Sequence, residues 1–382
     1  MMRHYAALPS PAYSPRFDSR ERPALRFSLL PRRFAPDVWV TSRTTTPGLP
    51  SRPSFGRSMA RDLDIAFALG SDRALERLAP EMGLPHRRHL PAALEAARRT
   101  LHDVKPSQVA NAVYSHWLEA LMALSRTHLS EKLPKVMRTA AWQDRKLEAA
   151  LGSLVELRQD SGPLVSPSMG GKGCQYPKGY VEPVPALYRA LSRAAGRLAL
   201  VFPRTKHFSP PRQFLKQWQT SLARLERLAK LQLANKPMGK EDLRFLSRTV
   251  DRHEGTYSGV RSYDGWYPKL FWPWGWGPGN VSGPPRPRGV RGSGGALSKL
   301  SLATLHVDTD RLRALQSGTG HPGLMVVAID VAGKTAIYGG PVYNYYRYER
   351  PLNKRMTDDE WALRMTYSSP ARPRFARNYH AR

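Results

Sequence analysis

The first residues that could do chemistry lie at the end of a helical segment, LGSLVELRQDSG, at positions 151–162. Glu156 and Asp160 are four positions apart, so they share one face if the helix continues to Asp160. Two carboxylates that line a cleft can act as general acid and base or can bind a metal ion. Arg158 points to another side of the helix and is a candidate binding residue. A solvated helix end with one ion pair would explain the same residues, and the sequence leaves this choice open.

A second candidate group lies in the strand-like segment LHVDTDRL. His306 and Asp308 are two positions apart, so they face the same side of a strand. A histidine with a neighbouring carboxylate can ligate a divalent metal ion or form an acid–base pair. A strand end followed by a turn, in which Asp310 caps a helical turn, explains the same residues. The sequence therefore predicts no particular metal here.

Aromatic side chains are concentrated in two late segments, YDGWYPKLFWPWGWGPGN and VYNYYRY. Aromatic faces beside arginines can stack against sugar rings or bases. If the second segment is a strand, Tyr343 and Tyr345 share one of its faces. We take Asp264 and Trp266 from the first segment, and these two tyrosines from the second, as candidate binding residues. Packing of the rings into the core is the alternative.

Motifs of several enzyme classes are absent from the sequence. The segment SGTGHPG contains Gly-x-Gly but leads into a strand, whereas a dinucleotide site requires a helix there. There is no Gly-x-Ser-x-Gly elbow, no HExxH helix and no P-loop. Cys174 is the only cysteine, which excludes an intrachain disulfide and a Cys-x-x-Cys metal site. We therefore expect no cofactor.

The charge balance of the chain points to anionic partners. The 382 residues include 60 lysines and arginines against 30 acidic residues, a formal net charge of +30. Such an excess attracts nucleic acid, anionic lipid headgroups or acidic polysaccharide. The alternative is that arginine is spread over the whole surface without a specific partner. The basic residues form no run of five or more, which is more typical of scattered charge than of a nucleic-acid-binding face.

Amphipathic helices must position these groups. Residues 1–60 are rich in proline, serine and arginine and are predicted to form an extended or disordered arm. Apolar residues at spacings of three and four predict five or six helices over 61–255. His253 and Glu254 are expected to end the last of these helices.

A β-rich part is expected after the helices. An aromatic loop and a Gly/Pro linker occupy 256–298, strands follow over 299–370, and 371–382 form a basic tail. The pattern Thr357 to Glu360 is a capping box, which predicts a short helix near the end. The predicted fold class is α+β, a mainly α-helical array or bundle with a small C-terminal antiparallel β-sheet.

The sequence gives little information about cellular location. No stretch approaches the roughly 18 apolar residues that a membrane-spanning helix needs. The N-terminal segment lacks the apolar core of a secretory signal, which favours the cytoplasm if the chain is complete. The sequence does not predict the oligomeric state.

The order of several segments resembles a bacterial family. These segments are LPRRFAPDVWV, DLDIAFALGSDRALERL, AWQDRKLEAALGSLVELRQDS, YVEPVPALYRAL and LMVVAIDVAGKTAIYGGPVYNYYRYERPLNKRMTDDEW. Over most of residues 30–370 the chain is similar to the family called domain of unknown function 3160. The resemblance is to the later part of longer members and implies an exported or lipid-anchored protein without an assigned reaction. Where members read Trp-x-Glu-Leu-Arg-His-Asp-Thr, this chain has Gln159 in place of the histidine, so an activity that needs this histidine would be lost.

Three functions are compatible with these features. The leading hypothesis is a non-catalytic binding or structural module of the bacterial envelope that contacts an acidic polymer. A second is a polysaccharide hydrolase that uses Glu156 and Asp160 as its carboxylates. A third is a nucleic-acid-binding protein, which requires the basic residues to lie on one face.

Overall fold

The computed structural model describes residues 36–45, 57–81, 90–103, 113–126, 131–158, 179–249, 251–254, 261–264, 266–267, 270, 300–309, 311–331, 333–368 and 370–380. Most of the predicted arm and most of the aromatic loop and linker lie outside these ranges, as do Asp160 and Asp310.

The helices and strands of the described part follow the predicted order. The α-helices are α1 Pro36–Arg43, α2 Asp62–Ala68, α3 Asp72–Leu78, α4 Leu90–Asp103, α5 Val113–Ser125, α6 Ala140–Arg158, α7 Pro185–Val201, α8 Ser209–Leu233, α9 Lys240–Ser247 and α10 Asp358–Tyr367. The strands are β1 Asp251–Glu254, β2 Arg261–Asp264, β3 Leu302–Asp308, β4 Arg313–Thr319, β5 Gly323–Val331, β6 Lys334–Val342 and β7 Tyr345–Pro351. The α+β prediction, with a small antiparallel sheet late in the chain, is confirmed.

The strands form three small antiparallel sheets with the orders β1-β2, β3-β4-β7 and β5-β6. The first of these pairs was not expected from the sequence. His253 and Glu254 lie in β1, opposite Ser262 and Arg261, so the prediction that they end a helix is wrong. The helix ends earlier, at Ser247, and the next residues pair through backbone hydrogen bonds.

The predicted continuous strand around Tyr343 is also wrong. β6 ends at Val342 and β7 begins at Tyr345, so Tyr343 lies in the link between two different sheets. The chain leaves the β5-β6 pair at this point and pairs with β4 in the other sheet. The link places the ring of Tyr343 against α6, where it fills the space above Gly152.

The main core joins α1 to α6 with the β3-β4-β7 sheet. All seven residues of α2 are buried, which is typical of a helix that is surrounded by other elements. In β7 the adjacent residues Tyr345 and Tyr346 point to opposite faces, and both are buried. The sheet is therefore covered on both faces.

Helix α10 packs on the second face of the sheet through Trp361, which is fully buried. Its indole Nε1 donates a hydrogen bond of 2.8 Å to the carbonyl of Thr319. A side chain at Gly318 would collide with this indole, because a Cβ there would lie 2.7 Å from a ring atom. The predicted capping box is present. The Thr357 side chain accepts the backbone N–H of Glu360, and the Glu360 carboxylate accepts the backbone N–H of Thr357.

A second core lies between α7, α8 and α9. It contains Val181, Leu222, Leu225, Leu228, Ala229 and Leu246. Helix α7 also packs on α5, which connects this unit to the main core. Among the residues that the structure describes, no helix is both long and apolar enough to cross a bilayer.

Candidate functional site

Helix α6 carries Glu156, one of the two carboxylates that the sequence singles out, and it meets the link before β7 along one face. Positions 148, 152 and 156 are four apart, so they are stacked along the helix. Glu148 Oε1 accepts the backbone N–H of Tyr345 at 2.8 Å, and Glu156 Oε2 accepts the hydroxyl of Tyr343 at 2.8 Å. Gly152 lies between them and leaves room for the Tyr343 ring. We call this contact the α6 seam.

Burial dominates the electrostatics of Glu156 in the seam. Burial raises the pKa of Glu156, and the hydrogen bond from Tyr343 opposes this shift only in part. Burial and the neighbouring Glu156 raise the pKa of Tyr343 well above its usual value. The side chain of Asp160, the proposed partner of Glu156, lies outside the described residues, so the predicted carboxylate pair stays a prediction.

Glu148 also contacts the C-terminal segment through its carboxyl group. Its side chain is buried, accepts a hydrogen bond from the hydroxyl of Tyr379 and lies 3.2 Å from Nε2 of His380. Arg372 lies 3.7 Å from the same carboxylate. One buried acid therefore connects α6, β7 and the C-terminal segment.

Arg158 joins three elements at the end of α6. Its Nε donates to Asp37 of α1, and its Nη1 donates to the carbonyls of Thr304 and Leu305 at 3.1 and 3.0 Å. The β3-β4 register shifts between Thr304 and His306, and such a bulge leaves backbone groups without strand partners. Arg158 satisfies the carbonyls at this bulge, which is a structural use of its guanidinium.

His306 and Asp308 lie on β3, as predicted. His306 Nε2 donates to the carbonyl of Ser58 at 3.1 Å, and burial lowers its pKa although this bond and Asp308 act in the opposite direction. Asp308 Oδ1 accepts the backbone N–H of Arg311 at 3.0 Å, which closes the turn into β4. The described ranges contain no group of three or more His, Cys, Asp or Glu side chains arranged so that it could hold a metal ion.

Tyr345 belongs to a buried polar network that sequence reasoning missed. Its hydroxyl donates to Asp62 Oδ2 at 2.9 Å and lies 2.7 Å from Ser317 Oγ, while Arg347 Nη1 is 2.7 Å from Asp62 Oδ1. Burial and the adjacent Asp62 raise the pKa of Tyr345 well above its usual value. Two acidic residues in the otherwise apolar segment DLDIAFA were the available signal.

Lys146 is another buried titratable group that the sequence did not reveal. Its Nζ donates to the carbonyl of Arg126 at 2.8 Å. Burial lowers the pKa of Lys146 to about 8. Near it, a cavity of about 400 Å³ is lined by Gly70, Asp72, Arg126 and α4, with three arginines, one histidine and three acidic side chains. This balance gives the cavity no preference for one sign of charge.

Trp266 lies against α9. Its ring stacks on Phe245 with centroids 4.9 Å apart, and its Nε1 donates to the Phe245 carbonyl at 3.1 Å. Arg224 of α8 lies over the Phe245 ring at 4.5 Å. Asp264 is in β2 opposite Asp251, and its side chain lies outside the described part. The predicted binding residues are thus divided between the α6 seam, β3 and the α9 region.

The excess of basic over acidic residues is much larger in the α7–α9 unit than in the preceding helices. Residues 185–249 contain fourteen lysines and arginines against three acidic residues, whereas 61–158 contain fifteen against twelve. Between Glu182 and Glu226 there is no acidic residue. Twelve of the fourteen side chains are exposed, namely Arg189, Arg193, Arg197, Arg204, Lys206, Lys216, Arg227, Lys230, Lys236, Lys240, Arg244 and Arg248.

The three acidic residues of this unit neutralise only part of the charge. Asp242 is bound by Arg227 and Arg224, and the hydrogen bond from Arg227 outweighs burial and lowers the pKa of Asp242. Glu226 is shared by Arg189 and Lys230 at 2.8 and 2.7 Å. Basic side chains therefore remain in excess on the surface of the unit.

One row of basic residues runs along α9. Lys240, Arg244 and Arg248 are four positions apart, so they lie on one side of the helix and its C-cap, and all three are exposed. Each step of four residues advances about 6 Å along a helix. We call these three residues the α9 row.

Comparison with known proteins identifies a family but no function. Residues 5–376 match the family described as "Protein of unknown function (DUF3160)". No curated protein and no solved structure matches the chain. The matched region includes most of the segment 1–60, which composition alone had set apart as an arm. Because the match extends over nearly the whole chain, this protein belongs to the DUF3160 family.

Proposed function

We propose that this protein is a non-catalytic binding module that holds a linear acidic polysaccharide on its α7–α9 unit. The observation that carries the proposal is the excess of fourteen basic over three acidic residues across 185–249. A surface with one sign of charge concentrates oppositely charged ligands and speeds their association.

The α9 row supplies a repeated arrangement of charges. Exposed cations at steps of about 6 Å can contact successive acidic groups of an extended chain. Lys236 adds a further exposed cation just before α9. A polymer with regularly spaced charges fits such a row better than a small ligand, which could contact only one or two of these side chains.

Aromatic rings beside the α9 row favour a sugar polymer. The backbone N–H groups of Trp266 and Tyr267 donate to the carbonyls of Arg248 and Thr249 at 3.2 and 3.1 Å, so the backbone of both residues lies beside the end of the row. Both side chains are half-buried. Rings of this kind stack against the apolar faces of sugars, while neighbouring cations bind their acidic groups.

Glu156 enters this proposal as a structural residue. Its carboxylate is hydrogen-bonded to Tyr343 at the α6 seam, where it supports the contact between α6 and the link before β7. Arg158 is similarly occupied by Asp37 and the bulge in β3. These contacts account for both residues without a reaction.

Charge reversal on the α9 row tests the proposal. Heparin, as an acidic polysaccharide probe, is titrated into the full chain and into the triple variant Lys240→Glu, Arg244→Glu, Arg248→Glu over a range of salt concentrations. We expect roughly tenfold weaker binding or more, because each surface ion pair is worth up to about 1 kcal/mol and the new carboxylates repel the ligand. The slope of log K against the logarithm of the salt concentration should decrease in magnitude by about two to three.

The matched control carries the same change in net charge elsewhere. Lys334→Glu, Lys354→Glu, Arg355→Glu alters three exposed residues of the β-rich part and should keep most of the affinity. Equal losses in both triple variants would show that only the net charge matters and would overturn the assigned surface. Tighter binding of single-stranded DNA than of heparin, lost in the α9 variant, would assign the same surface to nucleic acid instead.

A further inference from the structure

The turn between α7 and α8 has a defined conformation. α7 ends at Val201, and Phe202 adopts an extended conformation before Pro203, as residues that precede proline commonly do. α8 begins at Ser209 with prolines in its first turn, where their missing N–H groups need no partner. Arg212 Nη1 donates to the carbonyl of Phe202 at 3.0 Å and closes the turn. We call residues 197–212 the hairpin tip.

Two large apolar side chains are exposed at this tip. Leu200 is 68% exposed and Val201 is 70% exposed. Behind them, the rings of Phe202 and Phe208 pack together with centroids 5.9 Å apart. The second core does not reach these positions, since Leu191 is the last residue of α7 that contacts it. The free energy of leaving a leucine and a valine in water is unfavourable by about 1.5 kcal/mol or more for each.

Cations lie close in sequence to the apolar end of the tip. Arg197, Arg204 and Lys206 are exposed within six positions of Leu200, and His207 is exposed as well. The tip lies within the 43-residue stretch that has no acidic residue. An exposed apolar end whose own chain segment carries cations and no acidic residue matches the chemistry of an anionic membrane, in which phosphates lie above an apolar layer.

We propose that the hairpin tip binds anionic lipid bilayers by inserting Leu200 and Val201 among the acyl chains while its cations contact the headgroup phosphates. An acidic polysaccharide would neutralise the cations but would leave both apolar side chains in water, so a lipid surface explains more of the tip. The α9 row is a separate set of residues, so this inference does not depend on the proposed polysaccharide site.

Another exposed apolar surface of the protein provides the control. Leu324 and Val326 of β5 are 80% and 69% exposed, and the residues opposite them in β6 are Pro341 and Gly339. None of these four residues is charged, whereas Leu200 and Val201 have three exposed cations within six positions. It should not distinguish anionic from neutral vesicles.

Vesicle binding tests the inference. The full chain is mixed with phosphatidylcholine vesicles that contain or lack phosphatidylglycerol, and bound protein is separated by flotation. Leu200→Ser with Val201→Ser should lower the partition coefficient for the anionic vesicles roughly tenfold or more, because the buried apolar area is lost. Leu324→Ser with Val326→Ser should leave it unchanged, and Arg204→Glu with Lys206→Glu should abolish the preference for anionic vesicles. Unchanged binding of the Leu200/Val201 variant would overturn the inference.

A second measurement reports insertion directly. Leu200→Cys is introduced together with Cys174→Ser and labelled with an environment-sensitive fluorophore. Its emission should shift to the blue with anionic vesicles, and a label at Leu324→Cys should not respond. A label at position 200 that stays in a water-like environment while the protein binds would show adsorption by charge alone, which contradicts insertion. Circular dichroism of every variant confirms that the fold is retained.

Discussion

At the level of single residues, the charged side chains of Glu156 and Arg158, which the sequence suggested as site residues, form hydrogen bonds that connect elements of the fold. Helical spacing drew attention to Glu156 at the end of α6. It could not reveal the partner of Glu156, because Tyr343 lies 187 positions later in the sequence. The same holds for Arg158, whose acceptors are in α1 and β3. Such contacts depend on the tertiary fold, which local patterns do not encode.

The raised pKa of Glu156 predicts how pH affects stability. A carboxyl group whose pKa is higher in the folded than in the unfolded protein binds more protons when folded, so its contribution to stability falls as the pH rises above its usual value of 4.5. Glu156→Gln keeps an oxygen that can accept from Tyr343 but cannot ionise. We therefore expect the difference in the free energy of unfolding, variant minus wild type, to increase as the pH rises from about 4 to about 7.

Urea denaturation at a series of pH values measures this difference. Glu95→Gln, at an exposed position of α4, is the control for the loss of a negative charge. Parallel pH profiles for Glu156→Gln and wild type would contradict the burial of an ionisable Glu156 in the seam.

At the level of elements, apolar periodicity predicted the long helices and the late strands, and the capping box at Thr357 is present. The β1-β2 pair was missed because DRHE and RSYD show no alternation of apolar and polar residues. These strands are defined by backbone pairing alone. The change of sheet at Tyr343 was missed for a related reason. A continuous aromatic-rich segment predicts one strand and does not show that its first part pairs with β5 and its second part with β4.

A pair of glycine substitutions tests the packing of the α6 seam. Gly152 and Gly196 both lie inside helices, where alanine is favoured by about 1 kcal/mol. An added Cβ at Gly152 would lie 2.8 Å from Cδ1 and 3.3 Å from Cβ of Tyr343, whose ring is held by Glu156. We expect Gly152→Ala to lower the free energy of unfolding by about 1–3 kcal/mol.

Gly196→Ala is the matched control in α7. Its new Cβ would meet the amide end of Gln219 at 2.5 Å, which is the mobile end of a flexible side chain and can move aside. This variant should be neutral or slightly stabilised in thermal and denaturant unfolding. If Gly152→Ala were as stable as Gly196→Ala, then the close contact of Tyr343 with α6 would be wrong.

At the level of the whole molecule, the net charge suggests anionic partners but does not predict where they would bind. Counting charges over the full chain suggests scattered arginines, whereas counting by element shows that α7–α9 holds more than a third of the net charge. The stretch without acidic residues between Glu182 and Glu226 was visible in the sequence. Its exposure, and the alignment of Lys240, Arg244 and Arg248 on one side of α9, required the structure.

The central claim is that an acidic polysaccharide binds the α7–α9 unit and leaves the α6 seam unaffected. Hydrogen–deuterium exchange of the full chain, with and without a heparin oligosaccharide, measures the protection of each element directly. We expect slower exchange in α9 and the C-terminal half of α8, because bound ligand restrains these helices, and no change in α6 or β7. Protection confined to the residues around Glu156 and Tyr343, or no protection in any element, would contradict the claim.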